Sequence, residues 1–294
     1  MNDFVVEPLT PTFGAEIRGL DASASLSSET RRSLANAYLE HRVLLFRDQI
    51  LDAKTLATFG RVWGTPRIDA FTEKNVPGFL EVSQVGNVGE MLDRDEYRNG
   101  ASFWHTDCAA QANPDASTML YCMQAPHSGG ETILADMQGA YEALDDTTKA
   151  ELDAVVVHHC YSGTRAIIGG RESWEGELEP FDEATESNLP APAIRPLVRA
   201  HSVTKRKGLY SPAGSIFHVE SMPEEKAHEL IRRVKLHAIQ DAFCYRHRYR
   251  VGDLLMWDNT ATMHCATPVG RVSESGPRLL YRVAPLGLPP ALRK

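Results

Sequence analysis

The sequence predicts a mainly β protein: an antiparallel sandwich or jelly roll with helices packed outside it. Many short apolar runs of strand length are bounded by Gly, Pro, Asn or Asp. Helical periodicity is confined to a few segments that do not alternate regularly with those runs, which argues against a doubly wound parallel sheet. The chain has 294 residues, 43% hydrophobic and 24% charged, enough to bury a sizeable core without disulfide staples.

Taken in order, FVVEPLTPTFGAEIRGLD alternates and turns like a short strand pair. SLSSETRRSLANAYLEH (25–41) starts with capping residues and has Leu34, Ala37, Tyr38 and Leu39 at helical spacing. RVLLFRD (42–48) is a short apolar run of buried-strand character, and LDAKTLATFGRVWG (51–64) is a helix closed by Gly64. FLEVSQV reads as a strand and EMLDRDEYRNG as a mobile loop. SFWHTD, STMLYCMQ (117–124) and ETILADM (131–137) read as strands, and QGAYEALDDTTKAELDAV as one helix. Residues 163–195 are polar, Pro-rich and acidic in clusters, an excursion or lid. GLYSPAG and FHVESM are short strand or loop, and PEEKAHELIRRVKLHAIQ (223–240) is an amphipathic helix. CYRHRYR, DLLMWD and RLLYRVAPL close the chain as strands. No repeat or low-complexity tract divides it, so the expectation is one domain over 1–294.

The net charge is −8, with a pI near 5.8. That argues against a general nucleic-acid or membrane-surface binder, which would want a basic face, and leaves room for a local basic pocket for a small anion. Cys108, Cys122, Cys160, Cys244 and Cys265 form no CxxC pair, an odd set suited to a reducing compartment. The start MNDFVVEPLTPTFG lacks the basic and apolar regions of a signal peptide, and no apolar run approaches the length of a membrane helix. A cytoplasmic protein is expected.

The chemistry centres on FWHTDC. On a strand, His105 and Asp107 would point to one face, where an imidazole and a carboxylate can share a cation. Two ligands are too few, and His264, after DLLMWDNTATM, is the best third. Two histidines and a carboxylate make the facial triad typical of non-haem Fe(II) oxygenases. An isolated HxD is more often a pair of polar strand residues. What strengthens the metal reading is Arg278 and Arg282 in PRLLYRV, because a buried arginine asks for an anion. Structural ion pairs or an exposed strand edge remain the plainer reading of those arginines.

Other features read as architecture: His158 and His159 on opposite strand faces, the alternating YRHRYR, Trp257-Asp258-Asn259 as a turn toward His264, Cys108 and Cys265 as packing, and Trp104 as core.

The ordered set FGAEIRGLD, HRVLLFRDQ, WHTD, GGETILADM, RKGLY, YRHRYRVGDLLMWDN, MHCATP and RLLYRV resembles the TauD/TfdA (taurine/2,4-dichlorophenoxyacetate) dioxygenase family over nearly the whole chain. The resemblance implies a double-stranded β-helix (jelly-roll) core and an Fe(II)/2-oxoglutarate-dependent dioxygenase using O2, with ascorbate as the reductant in vitro. It implies that His105, Asp107 and His264 hold the iron. It implies that Thr132 and Arg278 bind the distal carboxylate of 2-oxoglutarate, and Arg282 an anionic group of the substrate. Glu131, where the family often has Asp, and Pro277 depart from the pattern without touching these positions. The implied reaction hydroxylates a small organic anion and gives succinate and CO2; hydroxylation beside an ether oxygen or a sulfonate would then break C–O or C–S. An aryloxyalkanoate-like carboxylate is favoured, with an alkylsulfonate such as taurine or a biosynthetic intermediate as the alternative. Neither nucleic acid nor membrane is an expected partner, and a homo-oligomer, dimer or tetramer, is. Two other classes stay open: a zinc hydrolase on the same His-Asp-His set, and a non-catalytic jelly-roll sensor.

Overall fold

The computed structural model describes residues 4–68, 72–112, 116–160, 167–168, 191–287 and 289–292. The excursion or lid expected at 163–195 falls outside them, apart from 167–168 and 191–195.

The run VLLF (Val43–Phe46) is buried at every position. It therefore reads as a continuous apolar stretch and sits inside a sheet covered on both faces. That sheet has eight strands in the order Val5–Pro8, Ala15–Arg18, Val43–Phe46, Leu254–Asp258, Ser117–Gln124, Leu279–Val283, Phe79–Gly86 and Asn75–Val76. Ala15–Arg18 and Val43–Phe46 run parallel; the other neighbours are antiparallel. A smaller sheet places Thr132–Asp136 between Cys244–His247 and Thr262–Ala266.

Alternation along the strands sorts side chains into layers. Met119, Tyr121, Leu254 and Met256 face a cluster with Leu34, Tyr38, Leu56, Phe59 and Trp63 from two outer helices. Leu120, Cys122, Leu255, Trp257 and Leu280 point the other way and meet Leu134 of the smaller sheet. Two sheets with a shared apolar interior make the expected jelly-roll core. The outward residues of the smaller sheet, Ile133, Ala135, Met263 and Cys265, are covered by the helix Glu224–Ala238 through Leu230, Ile231 and Val234.

The two outer helices start where the sequence supplies caps. Ser27 accepts from the Thr30 amide ahead of Ser28–His41, and Asp52 and Thr55 form a reciprocal capping box ahead of Ala53–Trp63. No helix among the described residues is long and apolar enough to cross a membrane.

Three expectations change. Residues 138–155 are two helices, Met137–Glu142 and Asp146–Asp153, because Asp145 caps the second by accepting from the Thr148 amide. EMLDRDEYRNG contains a helical turn, Asp95–Arg98. SFWHTD is not a strand: it runs along the free edge of Thr262–Ala266 and makes a single bridge there, at His105. The chain then turns at Asp107, with Cys108 at φ 53°.

Candidate metal centre and its surroundings

His264 alternates with Met263 and Cys265, which face the outer cluster, so its imidazole points inward. His105 faces it across the bridge. The His105 amide donates to the His264 carbonyl at 2.9 Å, and the His264 amide donates back at 2.8 Å. This pairing sets the ring centroids 4.2 Å apart. Nδ1 of His105 lies 2.8 Å from the Phe103 carbonyl. A carbonyl only accepts, so Nδ1 carries the proton and Nε2 keeps its lone pair for a cation.

The turn after His105 brings Asp107 to the same place. His105 Nε2 is 3.8 Å from its Oδ1, and His264 Nε2 is 3.8 Å from its Oδ2. One ligand atom from each of the three residues lies within 4.8 Å of the other two, a geometry that can hold a metal ion. Burial raises the affinity of Asp107 for a proton, but the Arg282 guanidinium, the two imidazoles and the Thr118 hydroxyl outweigh it. They hold the carboxyl well below the usual carboxylate range. His264 is pushed down to about 3, first by burial and then by His105. At neutral pH the cluster is therefore one carboxylate and uncharged imidazole at His264, as cation binding requires.

A directional hydrogen-bond chain orients Asp107. Trp257 Nε1 donates to Asn259 Oδ1 at 3.1 Å. That fixes the amide, so Asn259 Nδ2 donates to Thr118 Oγ1 at 2.9 Å. Thr118 then turns its own proton to Asp107 Oδ2, at 2.5 Å. Arg282 Nη2 reaches the same oxygen at 3.3 Å. With Oδ2 engaged twice, Oδ1 is the oxygen left toward a cation. The Trp257 ring also packs against His264, with centroids 4.7 Å apart.

Arg278 lies just ahead of the strand Leu279–Val283. It is buried, and forms no ion pair among the described residues. Its Nε donates to the Gly130 carbonyl at 3.0 Å, and its backbone is tied to Asn87 by bonds of 2.7 and 3.0 Å. The guanidinium lies over the Tyr249 ring at 5.8 Å. The Tyr249 hydroxyl is 2.9 Å from the Thr132 hydroxyl. Burial lowers the Arg278 pKa, opposed by Tyr249, Cys122 and Glu131. A buried guanidinium without a carboxylate partner, with two hydroxyls nearby, fits a carboxylate-bearing ligand. The residues present thus suit both an iron ion and 2-oxoglutarate.

His105, Asp107, His264 and Arg282 meet at one point, whereas Thr132 and Arg278 gather around Tyr249 on the inner side of the smaller sheet. Sequence reasoning missed Thr118, Asn259 and Tyr249. A polar Thr118 inside the apolar run STMLYCMQ was the available signal; Asn259 was read as scaffold. His158 and His159 do face opposite ways: His158 meets Glu220 at 3.0 Å, and His159 meets Ser215 at 2.8 Å.

Comparison with known proteins points one way. The family model described as Taurine catabolism dioxygenase TauD, TfdA family matches residues 6–284. The alpha-ketoglutarate-dependent 2,4-dichlorophenoxyacetate dioxygenase of Cupriavidus pinatubonensis is 32% identical over 271 residues, covering 88% of this chain and 91% of that protein. The (S)-phenoxypropionate/alpha-ketoglutarate-dioxygenase of Sphingobium herbicidovorans is 29% identical over 269 residues, covering 90% of each chain. The crystal structure of a taurine dioxygenase from Burkholderia xenovorans superposes with a TM-score of 0.78 at 26% identity, covering 99% of this chain and 94% of that one.

Proposed function

The chain belongs to the taurine catabolism dioxygenase TauD, TfdA family, and from that membership we propose how it works and on what. It is an alpha-ketoglutarate (2-oxoglutarate)-dependent dioxygenase acting on a small organic anion, a carboxylate or a sulfonate. We assign His105, Asp107 and His264 as the iron ligands, Thr132 and Arg278 as the groups that bind the co-substrate, and Arg282 as the group that meets the anionic end of the substrate. The observation that carries this reading is the convergence of the three ligand atoms in a fold that also buries Arg278 with no ion-pair partner among the described residues.

When bound, Fe(II) and 2-oxoglutarate supply, with O2, hydroxylation of a substrate C–H bond with release of succinate and CO2. The chain's own residues do the rest. His105 presents Nε2 because its Nδ1–H donates to the Phe103 carbonyl. Thr118 and Arg282 hold Asp107 ionised and turned. Arg278 offers terminal nitrogens to a carboxylate because its Nε is already engaged by Gly130. The apolar interior between the sheets, with Leu134, Leu255 and Leu280, keeps water out.

Within the class, an aryloxyalkanoate-like carboxylate is the favoured substrate, since two aryloxyalkanoate dioxygenases cover about nine-tenths of the chain. An alkylsulfonate such as taurine is the second reading, supported by the structural neighbour. A single self-associating domain in the cytoplasm completes the proposal. A zinc hydrolase would leave Thr132 and the buried Arg278 without a use, and a non-catalytic sensor would bind the anion but release no succinate.

The test is direct. Purified protein is given Fe(II), ascorbate and 2-oxoglutarate, and succinate is measured against aryloxy acids, alkylsulfonates, alkyl sulfates, phosphonates and amino acids. Stimulation by aryloxy acids is expected. Stimulation by sulfonates alone would move the assignment to the second reading. No succinate from protein with iron bound would overturn the assigned site.

A further inference from the structure

The inner face of the main sheet carries a polar row of which the assigned centre uses only Arg282. Arg282 lies directly opposite Ser83, and Ser83 directly opposite Asn75. Opposed residues of an antiparallel pair share a face. That face is the inner one. Val85, two residues from Ser83, packs on the cluster between the sheets. Val82, the chain neighbour of Ser83, packs on the opposite cluster beneath the outer helices; Val76 packs there too, across a register shift that separates it from Asn75. The row begins beside the metal centre, where Arg282 Nη2 is 3.3 Å from Asp107. Strands are about 4.8 Å apart, so Asn75 stands roughly 10 Å from Arg282 across the sheet.

Asn75 is only 8% exposed. Its Nδ2 and its Oδ1 are both buried, and neither has a hydrogen-bond partner among the described residues. An amide has two donors and an acceptor, and a buried polar group left unmade is costly and uncommon. A buried asparagine with a structural role is normally tied to backbone at one end at least. Asn87 shows the contrast: its Nδ2 donates to the Gly270 and Gly276 carbonyls and its Oδ1 accepts from Arg278.

We propose that Asn75, with Ser83 beside it, forms the far wall of the substrate site and selects organic anions that carry a hydrogen-bonding group, a hydroxyl or an amide, at the end away from the acid. The acid end meets Arg282; the polar end, about two strand spacings away, completes both sides of the Asn75 amide. This rests on the reading of Arg282 given above. A ligand with an apolar far end leaves the amide unpaired and forfeits that discrimination.

The experiment compares wild type with Asn75→Leu, which removes the amide at similar volume, and with Asn75→Ala. Two probes are used, phenoxyacetate and 4-hydroxyphenoxyacetate, and KM is measured for each and for 2-oxoglutarate. Melting temperature is recorded without substrate. Asn75→Leu is expected to raise KM for 4-hydroxyphenoxyacetate about tenfold, the scale of one buried hydrogen bond. KM for 2-oxoglutarate stays unchanged, and KM for phenoxyacetate, whose far end is apolar, does not rise. The substrate-free melting temperature rises by a few degrees, because an unpaired buried amide has been removed. Equal effects on the two probes, or none, would overturn the proposal. So would a fall in melting temperature with Asn75→Leu, which would mark the amide as a structural group completed by water only. If wild type turns over neither probe, the aryloxyalkanoate reading fails, and the melting-temperature comparison still decides whether Asn75 is held for a ligand.

Discussion

At the scale of single residues, the centre depends on partners far away in sequence. Thr118 donates to Asp107 only because Asn259, itself fixed by Trp257, occupies its acceptor side. Thr118→Val should weaken Co(II) or Fe(II) binding, measured by equilibrium titration, about 10–100-fold, and Thr118→Ser should restore it. Arg282→Ala should raise KM for the organic anion strongly while leaving KM for 2-oxoglutarate unchanged; equal changes in both would remove Arg282 from the substrate site. The His-x-Asp pair and a later histidine were legible because they form a short motif with a known chemical use. Thr118, Asn259 and Tyr249 were not, since nothing local in the sequence says that residues from three separate segments will face one carboxylate or one arginine.

At the scale of elements, strands and turns aim these groups. The two-glycine turn before Thr132 is an example. Gly130 sits at φ +73°, and a Cβ there would lie 2.6 Å from Arg278 Cδ and 2.7 Å from its Nε. Its carbonyl also holds that Nε. Gly130→Ala should therefore displace the guanidinium and raise KM for 2-oxoglutarate by about tenfold or more, with KM for the organic anion less affected. Steady-state kinetics with each component varied in turn would separate the two. Most elements could be read from period and punctuation, as the capping residues at the start of 25–41 show, where Ser27 caps the first outer helix. The failures have physical causes. SFWHTD alternates like a strand, but only His105 finds a partner along the edge of Thr262–Ala266. Asp145 competes for the amide of Thr148 and splits a continuous helical pattern in two.

At the scale of the whole molecule, two apolar layers outside the sheets and one between them leave little room for ionised groups. His159, on the strand Val156–His159, is buried completely. Burial first, then Arg195, Arg199 and His158, push its pKa down to about 3 from the ordinary 6.5. Between those values the unfolded chain binds a proton that the folded chain refuses. Its contribution to stability is therefore complete above about pH 6.5 and is lost as pH falls toward 3. Melting temperatures from pH 7.5 to 4.5 should fall less steeply for His159→Gln than for wild type; parallel curves would contradict this. The fold class and the layering were legible in the sequence because hydrophobic period reports which face is buried. The inner-face row at Asn75, Ser83 and Arg282 was not, because it exists only once three strands are paired. The central claim is that His105, Asp107 and His264 form the working iron centre of a 2-oxoglutarate dioxygenase. It is tested most directly by following succinate from 2-oxoglutarate in wild type and Asp107→Ala, each with Fe(II), with and without O2. The account predicts O2-dependent succinate from wild type and none from Asp107→Ala. Undiminished turnover by Asp107→Ala, or turnover of wild type without O2, would contradict it.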